Sequence, residues 1–127
     1  MTKSQALIYS LLGPSREDIR PLAEAVDIAA SLMFERKIPM DDILVTKHIY
    51  PIVAENLNIP RQAAERKIER AANHCWQLGD QDELETIIGK RLSGIRAPRD
   101  MIFYFAFYLY LGKPFYEAIN EEYVMPF

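Results

Sequence analysis

One stretch decides the fold: VTKHIYPIVAENLNIPRQAAERKIERAANHCW, residues 45–76. It has the pattern of a helix-turn-helix, which needs a small residue where two helices cross, an apolar residue ending the first helix, and a tight turn before the second. Ala54 and Leu57 fit the first two positions, and Asn58 suits a left-handed turn conformation. Pro60 stands where a helix can begin. The pattern therefore predicts two helices joined by a short turn.

The second helix of this pair has an apolar side and a polar side. Apolar residues recur at three- and four-residue steps, the spacing that places them on one side of a helix. They are Ala64, Ile68, Ala71, Ala72 and Cys75. The polar side carries Arg61, Gln62, Glu65, Arg66, Glu69 and Asn73. We predict that the apolar side packs in the core and that the polar side faces solvent or a partner.

The rest of the chain predicts further helices around this pair. Segments of helical periodicity are separated by proline and glycine breaks, and no stretch alternates with period two for long enough to make a strand. The predicted helices cover about residues 3–12, 20–37, 43–57, 60–78, 81–88 and 98–111, and Pro114 can open a last short one toward Glu122. Pro51 is a candidate kink in the third helix, and Gly79 a C-terminal glycine of the fourth. At 127 residues, half of them apolar, the chain is predicted to be a single all-α globular domain spanning residues 1–127.

The cellular compartment follows from three features. The single cysteine, Cys75, rules out an intramolecular disulfide, so the cytoplasm is expected. Thr2 and Gln5 have capping-box spacing, which predicts an N-terminal helix rather than a signal peptide. The most apolar window, Met101 to Leu111, is shorter than the roughly twenty residues that cross a bilayer. It is predicted to be a core helix, and no membrane partner is expected.

The distribution of charge bears on nucleic-acid binding. The net charge is −3, whereas nucleic-acid-binding domains are more often strongly basic. Residues 45–79 carry a net +2, residues 80–89 a net −4 and residues 90–99 a net +4. A basic face on an acidic body still attracts DNA phosphates, because binding depends on cations near the backbone. Charge alone nevertheless favours two solvated surface patches.

The polar side of the second helix has base-reading chemistry. In the major groove, arginine pairs with guanine O6 and N7, glutamine with adenine and glutamate with the cytosine amine. Arg66, Gln62 and Glu65 are candidates for these three contacts. The alternative is a helical hairpin whose outer side is merely solvated and stabilised by pairs such as Arg61 with Glu65. The motif alone leaves these two interpretations about equally supported.

The chain resembles a known family from about Ala6 to Phe107, about four fifths of its length. The matching segments are IYSLLG, DIRPLAEAV, TKHIYPIVAENLNI, AERKIERAANHCWQLGD, IIGKRL and RAPRDMIF. They resemble the C-terminal effector domains of the stage zero sporulation protein A family, response regulators that initiate endospore formation. The match is most specific in TKHIYP and in the Glu-Arg pair and tryptophan of the fourth helix.

The resemblance implies an all-α domain of about six helices that binds a short element of double-stranded DNA through the fourth, often as tandem copies. Glu65 and Arg66 match the family's base-contacting pair, whereas Glu69 stands where the family has a further arginine. A changed target sequence is therefore expected. The predicted base contacts are Gln62, Glu65, Arg66 and Glu69. The receiver domain that precedes this domain in the family has no counterpart in the sequence, so phosphorylation control by that route is expected to be absent.

Candidate phosphate contacts form three groups. Arg61, Lys67 and Arg70 lie on the fourth helix, and Lys47 and His48 lie at the start of the third. Lys90, Arg91 and Arg96 belong to a glycine-containing loop that resembles the family's DNA-backbone loop. A simple solvated loop is the alternative for the third group.

No catalytic, cofactor or metal site is predicted. His74 and Cys75 are adjacent, so on a helix they point about 100° apart and do not easily converge on one ion together with His48. The sequence has no Ser-His-Asp set, phosphate-binding loop or glycine-rich nucleotide motif. We therefore expect that the chain is not an enzyme.

The C-terminal part departs from the family because it is rich in aromatic residues. The rings are Phe103, Tyr104, Phe105, Phe107, Tyr108 and Tyr110. They exceed what one core-facing side needs, so some are expected to face outward, where either the tail folds over them or they form an interface. Together with Glu69 and the acidic net charge, this keeps open a second interpretation, a protein-interaction module of the same fold without DNA recognition. The leading prediction is a sequence-specific transcriptional regulator, with a second copy and RNA polymerase as further candidate partners.

Overall fold

The computed structural model describes residues 1–120, which are mostly helical and contain no strand. The helices are α1 (Lys3–Leu12), α2 (Arg20–Ala30), α3 (Tyr50–Leu57), α4 (Arg61–Leu78), α5 (Gln81–Ile88), α6 (Asp100–Leu111) and α7 (Phe115–Asn120). Shorter turns cover Ser31–Glu35, Met40–Asp42 and Val45–Ile49; the first and third are π-helical and the second is a 3-10 turn. The predicted all-α fold class with a helix-turn-helix is confirmed.

The first two helices begin as the sequence predicts. Thr2 accepts the Gln5 backbone N–H with its hydroxyl, and the Gln5 side chain accepts the Thr2 backbone N–H, which completes the capping box. Pro21 lies in the first turn of α2, where a missing N–H costs nothing. The α-helical part of α2 ends earlier than predicted, at Ala30, because the chain continues as a π-helical turn.

The centre of the core lies between α2 and α6, which pack most extensively against each other. Leu22 and Val26 of α2 and Phe105 and Phe107 of α6 are fully or almost fully buried. α4 also packs against α2 and α3, so its orientation is fixed from two sides. None of the helices in residues 1–120 is both long enough and apolar enough to cross a bilayer.

The predicted third helix, residues 43–57, is wrong in its first half. Ile43 and Leu44 have extended backbone, a π-helical turn follows, and regular helix begins only at Tyr50. The break has a tertiary cause, since it lets Ile43 and Val45 both insert into the core. Pro51 lies in the first turn of α3, where proline is tolerated, so it does not kink a continuous helix.

The turn between α3 and α4 has the predicted chemistry. Asn58 adopts the left-handed conformation, with φ 54° and ψ 50°. The backbone N–H of Asn58 donates to the Glu55 carbonyl at 3.2 Å, and that of Ile59 donates to the Ala54 carbonyl at 3.0 Å. Ala54 is buried and Leu57 half-buried at the contact. The apolar side of α4 is buried as predicted: Ala64, Ile68, Ala71, Ala72 and Cys75.

Gly79 ends α4 for a reason other than the one predicted. Its φ of −67° and ψ of 153° are extended, so no left-handed cap is needed here. A Cβ at this position would instead meet the Cys75 carbonyl oxygen and lie 3.2 Å from Leu11 Cδ2. The glycine therefore permits a close approach between the end of α4 and α1.

The aromatic part of the chain is covered by α7. The Phe115 ring packs edge-on against Phe107 at 4.9 Å and Tyr104 at 5.1 Å between centroids. The structure thus supports the folded-back tail for these rings. Tyr110 remains 52% exposed and stacks on Phe34. The predicted extension of the last helix to Glu122 lies outside the described residues.

Candidate nucleic-acid interface

The exposed side of α4 is centred on Arg66. Gln62, Arg66 and Arg70 are exposed at four-residue steps, and Asn73 and Gln77 continue the same side toward the end of the helix. We call these residues the crest of α4. Because the opposite side of the helix is fully buried, the orientation of the crest is fixed by core packing. Glu65 is half-exposed at its edge.

Arg66 is available to a ligand. Within residues 1–120, neither the Arg66 guanidinium nor the Gln62 amide has a hydrogen-bond or ion-pair partner. An exposed guanidinium presents five N–H donors in a planar fork, which suits the two acceptors of guanine or the oxygens of a phosphate. Gln62 and Arg66 can therefore donate to a nucleic acid without first breaking an internal contact.

One flank of the crest meets acids from the loop between α1 and α2. Lys67 Nζ lies 3.4 Å from Asp18 Oδ2, Arg70 Nε lies 3.6 Å from Glu17 Oε1, and His74 Nδ1 lies 2.7 Å from Glu17 Oε2. We call Glu17, Asp18 and these three partners the acidic flank. Two of the predicted phosphate contacts, Lys67 and Arg70, are thus already paired.

Asp18 is held ionised within this flank. Arg20 donates to both of its carboxylate oxygens, from Nε at 2.9 Å and from a terminal nitrogen at 3.0 Å. This hydrogen bonding is the main cause that lowers the pKa of Asp18 to about 2. Asp18 therefore carries a full negative charge beside α4 at neutral pH.

The other flank is built around a buried tyrosine. The Tyr50 hydroxyl donates to Glu69 Oε2 at 2.8 Å, and an Arg99 terminal nitrogen donates to the same oxygen at 3.1 Å. The Arg99 guanidinium also lies 5.9 Å from the centroid of the Tyr50 ring. Burial, followed by the hydrogen bond to Glu69, raises the pKa of Tyr50, which keeps its hydroxyl protonated. We call Tyr50, Glu69 and Arg99 the tyrosine flank.

The predicted base contact Glu69 therefore differs from Gln62 and Arg66 in its surroundings. Its carboxylate points toward α3 and the start of α6 and is bound there by two donors. Sequence reasoning assigned no role to Tyr50 and did not connect Arg99 with Glu69. The sequence contained a signal for this pairing. Glu69 is an acid where the family has a cation, so a cation from another part of the chain is expected to pair with it, and the loop before α6 is rich in arginine.

The predicted contacts near the start of α4 lie close together. Arg61 donates from its guanidinium to the Thr46 backbone carbonyl, which ties the first residue of α4 to the turn before α3. His48 Nδ1 accepts the Leu44 backbone N–H at 2.9 Å. Lys47 is exposed, and no described residue pairs with its side chain. Lys47 is therefore a cation available beside the N-terminus of α4.

The basic loop between α5 and α6 is partly neutralised. Arg91 pairs with Asp82 at 2.7 Å and with a second acid of α5. Lys90 Nζ lies 4.0 Å above the centroid of the Tyr116 ring. Arg96 is 95% exposed and lies 3.9 Å from the carboxylate of the first residue of α6. Of the predicted loop contacts, Arg96 is the most open to solvent.

The Cys75 thiol belongs to the core. It lies in the buried side of α4, and burial raises its pKa to about 12. Within residues 1–120, no group of three or more histidine, cysteine or acidic side chains is arranged to hold a metal ion. The polar chemistry of this surface is therefore carried by the crest and its two flanks.

The family model described as "Sporulation initiation factor Spo0A C terminal" matches residues 28–104, about three fifths of the chain. The match contains the whole of α3, the turn and α4. The chain belongs to this family. The family is a DNA-binding regulatory family rather than a catalytic one, so the chain is a DNA-binding domain of the sporulation-regulator type. No curated protein and no solved structure gives a significant match.

The residues matched by the family model, 28–104, are fewer than those of the resemblance seen in the sequence, about Ala6 to Phe107. The match contains the complete tyrosine flank but begins after Glu17 and Asp18. The two acids of the acidic flank thus lie outside the matched residues.

Proposed function

We propose that this domain recognises a specific duplex sequence by inserting the crest of α4 into the major groove, with Arg66 as the main base contact. One observation carries the proposal: Arg66 is exposed and unpaired within residues 1–120, at the centre of a helix side that core packing points outward. Arginine on guanine O6 and N7 is the commonest specific contact in the major groove.

Neighbouring residues complete the proposed base contacts. Gln62 lies one helical turn before Arg66 and suits adenine, whereas Glu65 suits the amine of cytosine. Glu69 would reach a base only by leaving Tyr50 and Arg99. The proposal therefore relies first on Gln62, Glu65 and Arg66, and Glu69 is the contact it needs least.

The cations around the crest are proposed to bind phosphates. Lys47 is available directly, and Arg96 is 95% exposed with a 3.9 Å contact to Asp100. Arg61 begins α4, and His48 lies in the turn before α3 that Arg61 contacts. Lys67 and Arg70 are proposed to exchange the acids of the acidic flank for DNA phosphates. Lys90 and Arg91 are proposed as weaker contacts, since a ring and two acids already engage them.

The wider assignments follow from the same proposal. Residues 1–127 are proposed to act as one domain, in the cytoplasm or nucleoid where DNA is found. Tandem copies and RNA polymerase remain proposed partners. The interaction-module alternative, which rested on Glu69, the acidic net charge and the aromatic rings, has less support because α7 covers two of those rings, Tyr104 and Phe107.

The test is selection of bound sequences from a random duplex pool, followed by affinity measurements on the selected duplex across a range of salt concentrations. The proposal expects one enriched motif and an affinity that falls steeply with salt, because cations on the protein release counterions from DNA. A pool without enrichment, or an affinity indifferent to salt, would contradict it.

A further inference from the structure

A cavity of about 520 Å³ lies beside the tyrosine flank, between residues 40–46 and the start of α6. Its volume is within the roughly 300–1,000 Å³ typical of small-molecule sites. The rings of Phe103, Tyr104 and Phe115 form part of its wall, and Arg99 contributes a cation. Gln62, Glu65, Arg66 and Glu69 are not among its lining residues. The cavity is therefore separate from the proposed base-contacting surface.

Arg99 has an unused donor in this region. One terminal nitrogen donates to Glu69, and the Nε is enclosed by protein and has no acceptor within residues 1–120. The other terminal nitrogen, on a side chain that is 38% exposed, is the donor that a ligand in the cavity can reach. A hydrogen bond from a charged nitrogen to a carboxylate is stronger than one between neutral groups.

The acids of the cavity are already engaged or exposed. Asp100 accepts the backbone N–H groups of Arg96 and Ala97 at 3.2 and 3.4 Å and lies 3.9 Å from the Arg96 guanidinium. Asp41 is exposed at the edge. Arg99 is thus the charged wall residue that still lacks a partner for one of its donors.

We propose that this cavity binds a small aromatic carboxylate, with the carboxylate on Arg99 and the ring among Phe103, Tyr104 and Phe115. Aromatic side chains favour edge-to-face or offset stacking with a ligand ring. The two halves of such a ligand match the two kinds of wall that the cavity offers.

Ligand binding also connects with α4, a step that rests on the proposed function. The ligand and Glu69 would share one guanidinium, so the ligand weakens the hold on Glu69 and adds negative charge near DNA phosphates. We expect saturating ligand to lower duplex affinity by at least about fivefold, a size common for coupling between two sites.

The first experiment titrates the ¹⁵N-labelled chain with phenylacetate and indole-3-acetate, each compared with its neutral amide, and follows backbone amide shifts. Saturable shifts are expected in residues 40–46 and 92–104, with the amides binding about tenfold more weakly. Arg99→Lys keeps the charge but has one nitrogen in place of the two terminal nitrogens that Glu69 and the ligand would share, so it should weaken carboxylate binding about tenfold. Arg36→Lys, at an exposed arginine outside the cavity, should bind like the parent.

Absence of saturable shifts, equal binding of acid and amide, or shifts confined to the acidic flank would overturn the site. If Arg99→Lys does not fold, the acid and amide comparison on the parent chain still decides. The titration contains no DNA, so its failure leaves the proposed function standing. Duplex affinity is then measured with and without phenylacetate: an unchanged value overturns the coupling, whereas a chain that binds phenylacetate but no duplex overturns the proposed function.

Discussion

The two flanks of α4 hold charged residues in different ways. On the acidic flank, Lys67 and Arg70 meet loop carboxylates at 3.4 and 3.6 Å. On the tyrosine flank, Glu69 is bound at 2.8 and 3.1 Å by a fully buried tyrosine and by Arg99. Long, partly exposed ion pairs contribute little and exchange easily, whereas a contact built into the core is costly to break. The comparison teaches that Lys67 and Arg70 of the acidic flank can exchange their partners, whereas the contacts of the tyrosine flank are part of the folded structure.

The largest effect should be a loss of stability when the tyrosine flank is disrupted. Tyr50→Ala removes a fully buried ring and leaves Glu69 with one donor fewer, so we expect a loss of about 3–5 kcal/mol in the free energy of unfolding. Urea denaturation measures it. Tyr110→Ala, at a ring that is 52% exposed, is the matched control and should cost much less. Equal losses for the two variants would contradict the comparison.

An intermediate effect, on DNA affinity, should come from neutralising the two acids of the acidic flank. Glu17→Gln combined with Asp18→Asn frees Lys67 and Arg70 for phosphates and removes two charges that repel DNA. We expect duplex affinity to rise about tenfold and the salt dependence to steepen by about one to two phosphate contacts.

The control for this prediction is a pair of acids away from α4. Glu35→Gln combined with Asp42→Asn removes the same charge from exposed positions. If this pair raises affinity as much as the acidic-flank pair, then total charge is responsible and the local exchange is disproved. Anisotropy of a labelled duplex measures both variants.

The smallest effect should appear in the pH dependence of stability. The pKa of Asp18 is lowered in the folded state from its ordinary value of 3.8 to about 2, so its stabilising contribution is present above pH 3.8 and disappears as the pH falls through about 2. Because solvent screens this partly exposed group, we expect about 1 kcal/mol or less.

The check is the difference in unfolding free energy between the parent chain and Asp18→Asn. This difference should stay constant near neutral pH and shrink between pH 4 and pH 2. A difference that grows in acid would mean that the sign of the shift is wrong.

The features of the fold that the sequence predicted are those determined by residues close together in the chain. The apolar side of α4 and the left-handed Asn58 follow from spacing and turn chemistry within a few residues, and both are confirmed. The break at Ile43 and Leu44 was missed because it depends on which side chains enter the core.

The candidate site shows the same limit. The outward position of Gln62, Arg66 and Asn73 in the crest could be predicted, because burial of the opposite side determines which residues face outward. The pairing of Glu69 with Arg99 joins residues 30 positions apart, and that of Lys67 with Asp18 joins residues 49 apart. Helical periodicity carries no information on contacts between residues so far apart in the sequence. The two flanks could therefore be identified only from the structure.

The central claim is that the crest of α4 recognises DNA through Arg66. Its most direct test compares Arg66→Ala with Arg36→Ala, each an exposed arginine, on the selected duplex and on a duplex of scrambled sequence. We predict that Arg66→Ala loses about 1–3 kcal/mol on the selected duplex, with relaxed specificity at one base pair, while Arg36→Ala binds like the parent. Arg66→Ala binding both duplexes as the parent does would contradict the account.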